Sequence, residues 1–147
     1  MAAGDFLKFN KFSQSLAKGL CGDLEGAGAL RFALTNTAPT AATDVLFDAV
    51  TAHAAPAAAN GYGTTGRNAT ISGSAETGGV YTLATTIDVV ITATAGGIGP
   101  FRYVILYCTG GTLPVVGYYD YGSSITLASG ETFTIDVTAS LFTITTT

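Results

Sequence analysis

Charge is scarce in this chain: Asp, Glu, Lys and Arg make up 11% of its 147 residues, against about 25% in ordinary soluble domains. Tryptophan is absent, and there is one histidine, His53, with two cysteines. A Ser/His/Asp or Cys/His mechanism would have to use His53 as its base. That residue sits in an Ala-rich stretch with no carboxylate patterned around it. One His and two distant Cys also fall short of the three or four ligands that a zinc site needs. No enzyme, cofactor or metal is therefore expected. Low charge combined with 48% hydrophobic residues excludes an acidic disordered chain, which needs the opposite balance.

Long apolar runs are missing too. The longest, residues 103–108, is far short of the roughly 20 residues that a membrane-spanning helix requires. The start, Met1-Ala2-Ala3-Gly4-Asp5-Phe6-Leu7-Lys8, carries an acid and a lysine where a signal peptide needs an apolar stretch, so export by that route is not expected. Basic residues are absent from 103–147, where Asp120, Glu131 and Asp136 lie, and the lysines are confined to Lys8, Lys11 and Lys18. Nucleic-acid binding by the main body is disfavoured, because phosphate contacts need clustered bases. The two cysteines, Cys21 and Cys108, lie in apolar settings far apart in the chain. Free buried thiols are expected, with a single bridge as the alternative.

What is abundant is Thr (24), Ala (23) and Gly (19). The length suits one domain over residues 1–147, able to bury roughly 68–70% of its unfolded surface without staples. Phe9, Phe12, Leu16 and Leu20 recur at spacings of three and four, which predicts an amphipathic helix over residues 5–20 capped by Asp5 and stopped by Gly19 or Gly22. Residues 51–66 read as a long Ala/Gly-rich surface loop or arm. From residue 29 onward, strands follow one another at 30–34, 69–72, 80–84, 87–91, 101–108, 115–121, 124–127, 132–137 and 141–145, with 73–79 as a turn. Residues 101–108 are apolar on both faces, which marks a central strand covered on two sides. Thr suits the wet faces of such strands. The pattern predicts a mainly β fold, an antiparallel β-sandwich or jelly-roll-like body with one N-terminal helix.

Paired carboxylates drawn from Asp120, Glu131 and Asp136 read better as solvated strand and turn residues than as a glycosidase pair. Gly96-Gly97-Ile98-Gly99-Pro100 lacks the lysine and the following helix of a phosphate loop. The stretch with most chemical character is Gly117-Tyr118-Tyr119-Asp120-Tyr121-Gly122. Alternation places Tyr119 and Tyr121 on one face, with Tyr118 and Asp120 on the other, and tyrosine is favoured at interfaces.

Five segments together resemble small structural proteins of tailed-phage virions. They are Phe9-Asn10-Lys11-Phe12, Leu34-Thr35-Asn36-Thr37-Ala38-Pro39, Gly99-Pro100-Phe101-Arg102-Tyr103-Val104, Tyr119-Asp120-Tyr121-Gly122-Ser123-Ser124 and Gly130-Glu131-Thr132-Phe133-Thr134. The resemblance is closest to head decoration, or cement, proteins of short-tailed phages. It implies a non-enzymatic protein made in the host cytoplasm that sits on the outer capsid surface and bridges neighbouring major capsid subunits. It also implies a homo-oligomer, a dimer or trimer, with neither nucleic acid nor membrane as partner. Phe6, Phe9, Phe12, Tyr118, Tyr119 and Tyr121 are the expected contact residues. A tail or neck component and a carbohydrate-binding sandwich are the alternative expectations.

Overall fold

A computed structural model describes residues 5–48, 60–63, 65–85, 87–137 and 140–146. The chain runs β1 (Leu7–Lys8), α1 (Phe12–Ala17), β2 (Leu30–Thr35), β3 (Arg67–Asn68), β4 (Gly73–Thr77), β5 (Val80–Ala84), β6 (Val89–Thr92), β7 (Ile98–Cys108), β8 (Val115–Leu127), β9 (Thr132–Ile135) and β10 (Phe142–Thr145). These strands form antiparallel sheets in the orders β1-β8-β7-β2-β3, β10-β5-β4 and β6-β9. The fold is mainly β, as the alternation predicts.

The N-terminal helix is much shorter than expected. Leu7 and Lys8 pair with Tyr118 and Gly117, and the Phe9 N–H donates to the Val116 carbonyl at 3.0 Å. Pairing with β8 satisfies the backbone groups that a longer helix would have used. Asp5 is therefore not the cap; Lys11 occupies that position without a side-chain cap bond. Gly19, at φ +67°, does end the helix. Its N–H donates to the Leu16 carbonyl and the Leu20 N–H to that of Ser15, the paired arrangement in which a left-handed glycine closes a helix.

β7 lies between β2 and β8, and both of its faces are buried. Leu30, Phe32 and Leu34 register with Cys108, Leu106 and Val104 in the main core. On the opposite face Ala33 registers with Ile105, and a second cluster gathers Phe9, Phe47, Tyr107 and Val115. The Phe47 ring stacks on Tyr107 at 4.3 Å between centroids. A strand packed on two sides has no polar face to alternate with, which is why residues 103–108 read as a continuous apolar run.

Four local readings change, one of them at residues 69–72, which lie outside any strand while Arg67–Asn68 make the pairing with β2. Residues 73–77 are strand rather than turn, because Gly78 and Gly79 both take positive φ and close the β4–β5 hairpin in two residues. Residues 115–127 form one strand instead of two: Gly122, at φ +91°, lies in an irregularity that lets Tyr103 face Asp120 while Phe101 faces Ile125. Val89 and Ile91 are buried, but Ile87, before the start of β6, is 53% exposed.

The cysteines are bridged, not free. Cys21 and Cys108 form a disulfide with Cα atoms 5.2 Å apart, well within the range that a bridge needs. The Thr109 N–H donates to the Ala29 carbonyl and its hydroxyl to that of Gly28, both at 2.8 Å. Those bonds fold the segment after Cys21 over the end of β7, where Cys108 sits.

Most of the expected arm at 51–66 lies outside the described residues, but its C-terminal end is anchored in the core. Tyr62 is 1% exposed, and its hydroxyl accepts the Leu34 N–H at 2.7 Å. Burial pushes the Tyr62 phenol well above its ordinary pKa, so it stays neutral. Tyr62→Phe should cost about 1–3 kcal/mol, because a buried N–H loses its acceptor. Urea unfolding of the two proteins measures the difference.

Candidate interaction surface

The six expected contact residues gather around the β1–β8 edge, but they do not share one face. Phe6 lies against Tyr119 at 5.0 Å and Phe142 at 6.4 Å. The bare Cα of Gly117 makes room for it, since a Cβ there would run into the Phe6 ring and the Leu7 carbonyl. Phe12 meets Phe142 edge-on at 5.4 Å, and Tyr121 meets Phe133 at 5.9 Å. Phe6, Phe12, Tyr119 and Tyr121 thus belong to the main core side. Phe9 and Tyr118, 5.3 Å apart, belong to the other. The division of Tyr118 from Tyr119 and Tyr121 follows the pleat.

Phe9 and Phe12 are 2% and 4% exposed, so the fold packs both rings internally. Tyr118 is half-buried and leaves part of its ring in solvent. Beside it on β1, in register, is Leu7, 47% exposed. Tyr103 meets Tyr118 edge-on at 6.4 Å, and the Arg102 guanidinium lies 5.2 Å from the Tyr103 ring centroid.

Arg102 makes a two-pronged ion pair with Asp120: Nε donates to Oδ1 at 2.7 Å and an Nη to Oδ2 at 2.8 Å. The fork matches the carboxylate plane and fixes both side chains. Asp120 Oδ1 also accepts the Gly122 N–H at 2.8 Å, which ties the pair to the bend in β8. Leu7, Tyr118 and this ion pair make an amphipathic surface on one face of the five-stranded sheet, backed by the buried Tyr103 ring. Leu7 and Arg102 carried no interface signal in the sequence. A single exposed leucine is ordinary, and only the β1–β8 register brings it beside Tyr118.

The hydrogen bonds from Arg102 hold the Asp120 carboxyl below the usual carboxylate range, opposed by partial burial and aided by the Gly122 N–H. Arg102 is raised in turn by the same bonds. A folded-state pKa below the unfolded one, about 3.9 for Asp, means that the pair's contribution is present above that value. It is lost as pH falls through the depressed folded value. Carbon-detected NMR titration should place the Asp120 midpoint below about 3.9, and Arg102→Gln should move it upward.

The other candidate carboxylates have local structural roles. Glu131 accepts the Ala128 N–H at 2.7 Å, and Asp136 is exposed just beyond β9. Gly96 and Gly97 form a turn whose close approach to the Leu127 carbonyl requires a glycine at 97. His53 lies outside the described residues. Among the described residues no group of three or more His, Cys, Asp or Glu could hold a metal, and no helix is long and apolar enough to cross a membrane.

No family model, curated protein or solved structure matches the chain.

Proposed function

We propose that this is a non-enzymatic decoration protein of a tailed-phage head, which binds the outer capsid surface and bridges neighbouring major capsid subunits. In this reading the sheets stack as a jelly-roll-like sandwich that serves as a rigid carrier. The observation that carries the proposal is the surface of Leu7 and Tyr118, backed by the Tyr103 ring, beside the Arg102–Asp120 pair. An aromatic and apolar centre with a fixed polar margin is how protein-binding surfaces are built. The backing of that surface on a strand buried on both faces supplies preorganisation, which lowers the entropy lost on binding. Copies repeated over a shell would turn modest individual contacts into resistance against internal pressure. Synthesis in the host cytoplasm and a place on the virion exterior belong to the same reading.

Leu7→Asp should weaken binding to heads that lack the protein by about tenfold or more, with the melting temperature unchanged because Leu7 is exposed. Co-sedimentation with purified heads measures it. Saturation at only a few copies per particle would favour a tail or neck component instead. Retention on a glycan array, with no binding to heads, would favour a carbohydrate-binding module that uses Tyr118.

A further inference from the structure

Two features of the molecule lie outside that surface and complement each other. The first is a groove of about 260 Å³ between α1 and β10. Phe9 and Phe12 form part of its lining with Leu16 and Ile144, and Lys8 stands beside them. The Lys8 ammonium donates to the Thr143 carbonyl at 2.9 Å, and an ammonium has three N–H donors, so the cation holds its place with capacity to spare. The second feature is a pair of exposed aliphatic residues flanking the start of β6. Ile87 and Val90, 53% and 54% exposed, are the most exposed large hydrophobic side chains among the described residues. Asp88 sits between them in sequence and accepts the Val137 N–H through Oδ1 at 3.1 Å.

We propose that the groove receives the Ile87/Val90 projection of a second copy of this chain. Shape and polarity agree: branched aliphatic side chains suit a small apolar groove, and their burial is the main favourable contribution. Charge agrees as well. Lys8 lines the groove, whereas the projection carries the Asp88 carboxylate. On docking, the partner's acid meets the Lys8 cation. Opposite charges placed this way set orientation and encounter rate. The same groove receiving a capsid segment would lack the matching acid unless the capsid supplied one, so a second copy is the occupant that the chain itself provides. The contact joins two different patches, and repetition of such a contact by rotation closes a ring.

The test uses the purified full chain alone, so its outcome is independent of whether heads are bound. Sedimentation velocity over a concentration series should show self-association that weakens with salt. Ile87→Asp combined with Val90→Asp should weaken it by more than about tenfold, since carboxylates would then be desolvated against the apolar lining in place of aliphatic side chains. Lys8→Glu should weaken it too, and adding Asp88→Lys to that variant should restore it in part. Circular dichroism melts of each variant show whether it remains folded, and Lys8→Glu keeps the test open if the Asp88 variant does not. A wild-type chain that stays monomeric throughout would overturn the proposal. So would an oligomer that neither the Ile87/Val90 variant nor Lys8→Glu weakens while both remain folded.

Discussion

Replacing Phe9 and Phe12 together with alanine should cost about 6–10 kcal/mol, at about 3–5 kcal/mol for each buried phenylalanine. The two rings sit three residues apart yet pack on different partners, Phe9 on Tyr118 and Phe12 on Phe142, in separate core clusters. Without a shared ring partner, the single losses should add to within about 0.5 kcal/mol. Natural domains have about 5–15 kcal/mol in total, so the double variant should be largely unfolded and each single variant measurably weakened. Urea unfolding of both singles provides the measurement. Singles as stable as the parent would mean that the segment before α1 is not docked on the sheet.

Opening the Cys21–Cys108 bridge should cost about 4–5 kcal/mol, the chain-entropy value for a cross-link between residues separated by 87 positions. The long loop makes the effect large: a cross-link between residues so distant in sequence removes many conformations from the unfolded chain. In Cys21→Ala/Cys108→Ala the thermal midpoint should fall by roughly 10–20 °C. Both sulfurs are buried, so mild reductant should act slowly on the native protein and quickly once urea opens it. Identical melts with and without the bridge would show that the cysteines are not joined in the folded chain.

The parts of the fold that could be read in the sequence are those in which local pattern and tertiary environment agree. β7 is the clearest case, since an apolar run with no polar face has few alternatives to a strand covered on both sides. The helix stop was readable to within two glycines, Gly19 or Gly22, because a glycine after an apolar stripe has a specific geometric role. What misled was the stripe itself. Phe9, Phe12 and Leu16 satisfy helical spacing, but Phe9 belongs to an extended segment whose backbone partners are on β8, more than 100 positions away. No local signal distinguishes those two uses of the same spacing.

The disulfide was hidden for the same reason, since a separation of 87 says nothing about proximity. Only the loop that folds residues 28 and 29 onto Thr109 brings Cys21 to Cys108. Tyr62 was masked by its low-complexity neighbours, although a lone aromatic in an Ala/Gly stretch was the available clue. At the candidate surface, the tyrosines around 118 were visible and their two faces followed from alternation. Leu7 and the Arg102–Asp120 pair were not, because the first depends on strand register and the second on an irregularity in β7–β8 pairing.

The scarcity of charge gains a meaning from this arrangement. The Arg102–Asp120 ion pair is placed against the aromatic surface, while Lys8 and the Asp88 carboxylate belong to the two halves of the proposed contact between copies.

The most direct test is co-sedimentation of the purified, disulfide-bonded chain with phage heads assembled without it. The capsid reading predicts saturable binding at many copies per head, diminished by Leu7→Asp, with the bound heads more resistant to heating than bare ones. No binding at saturating concentrations of folded protein would contradict it.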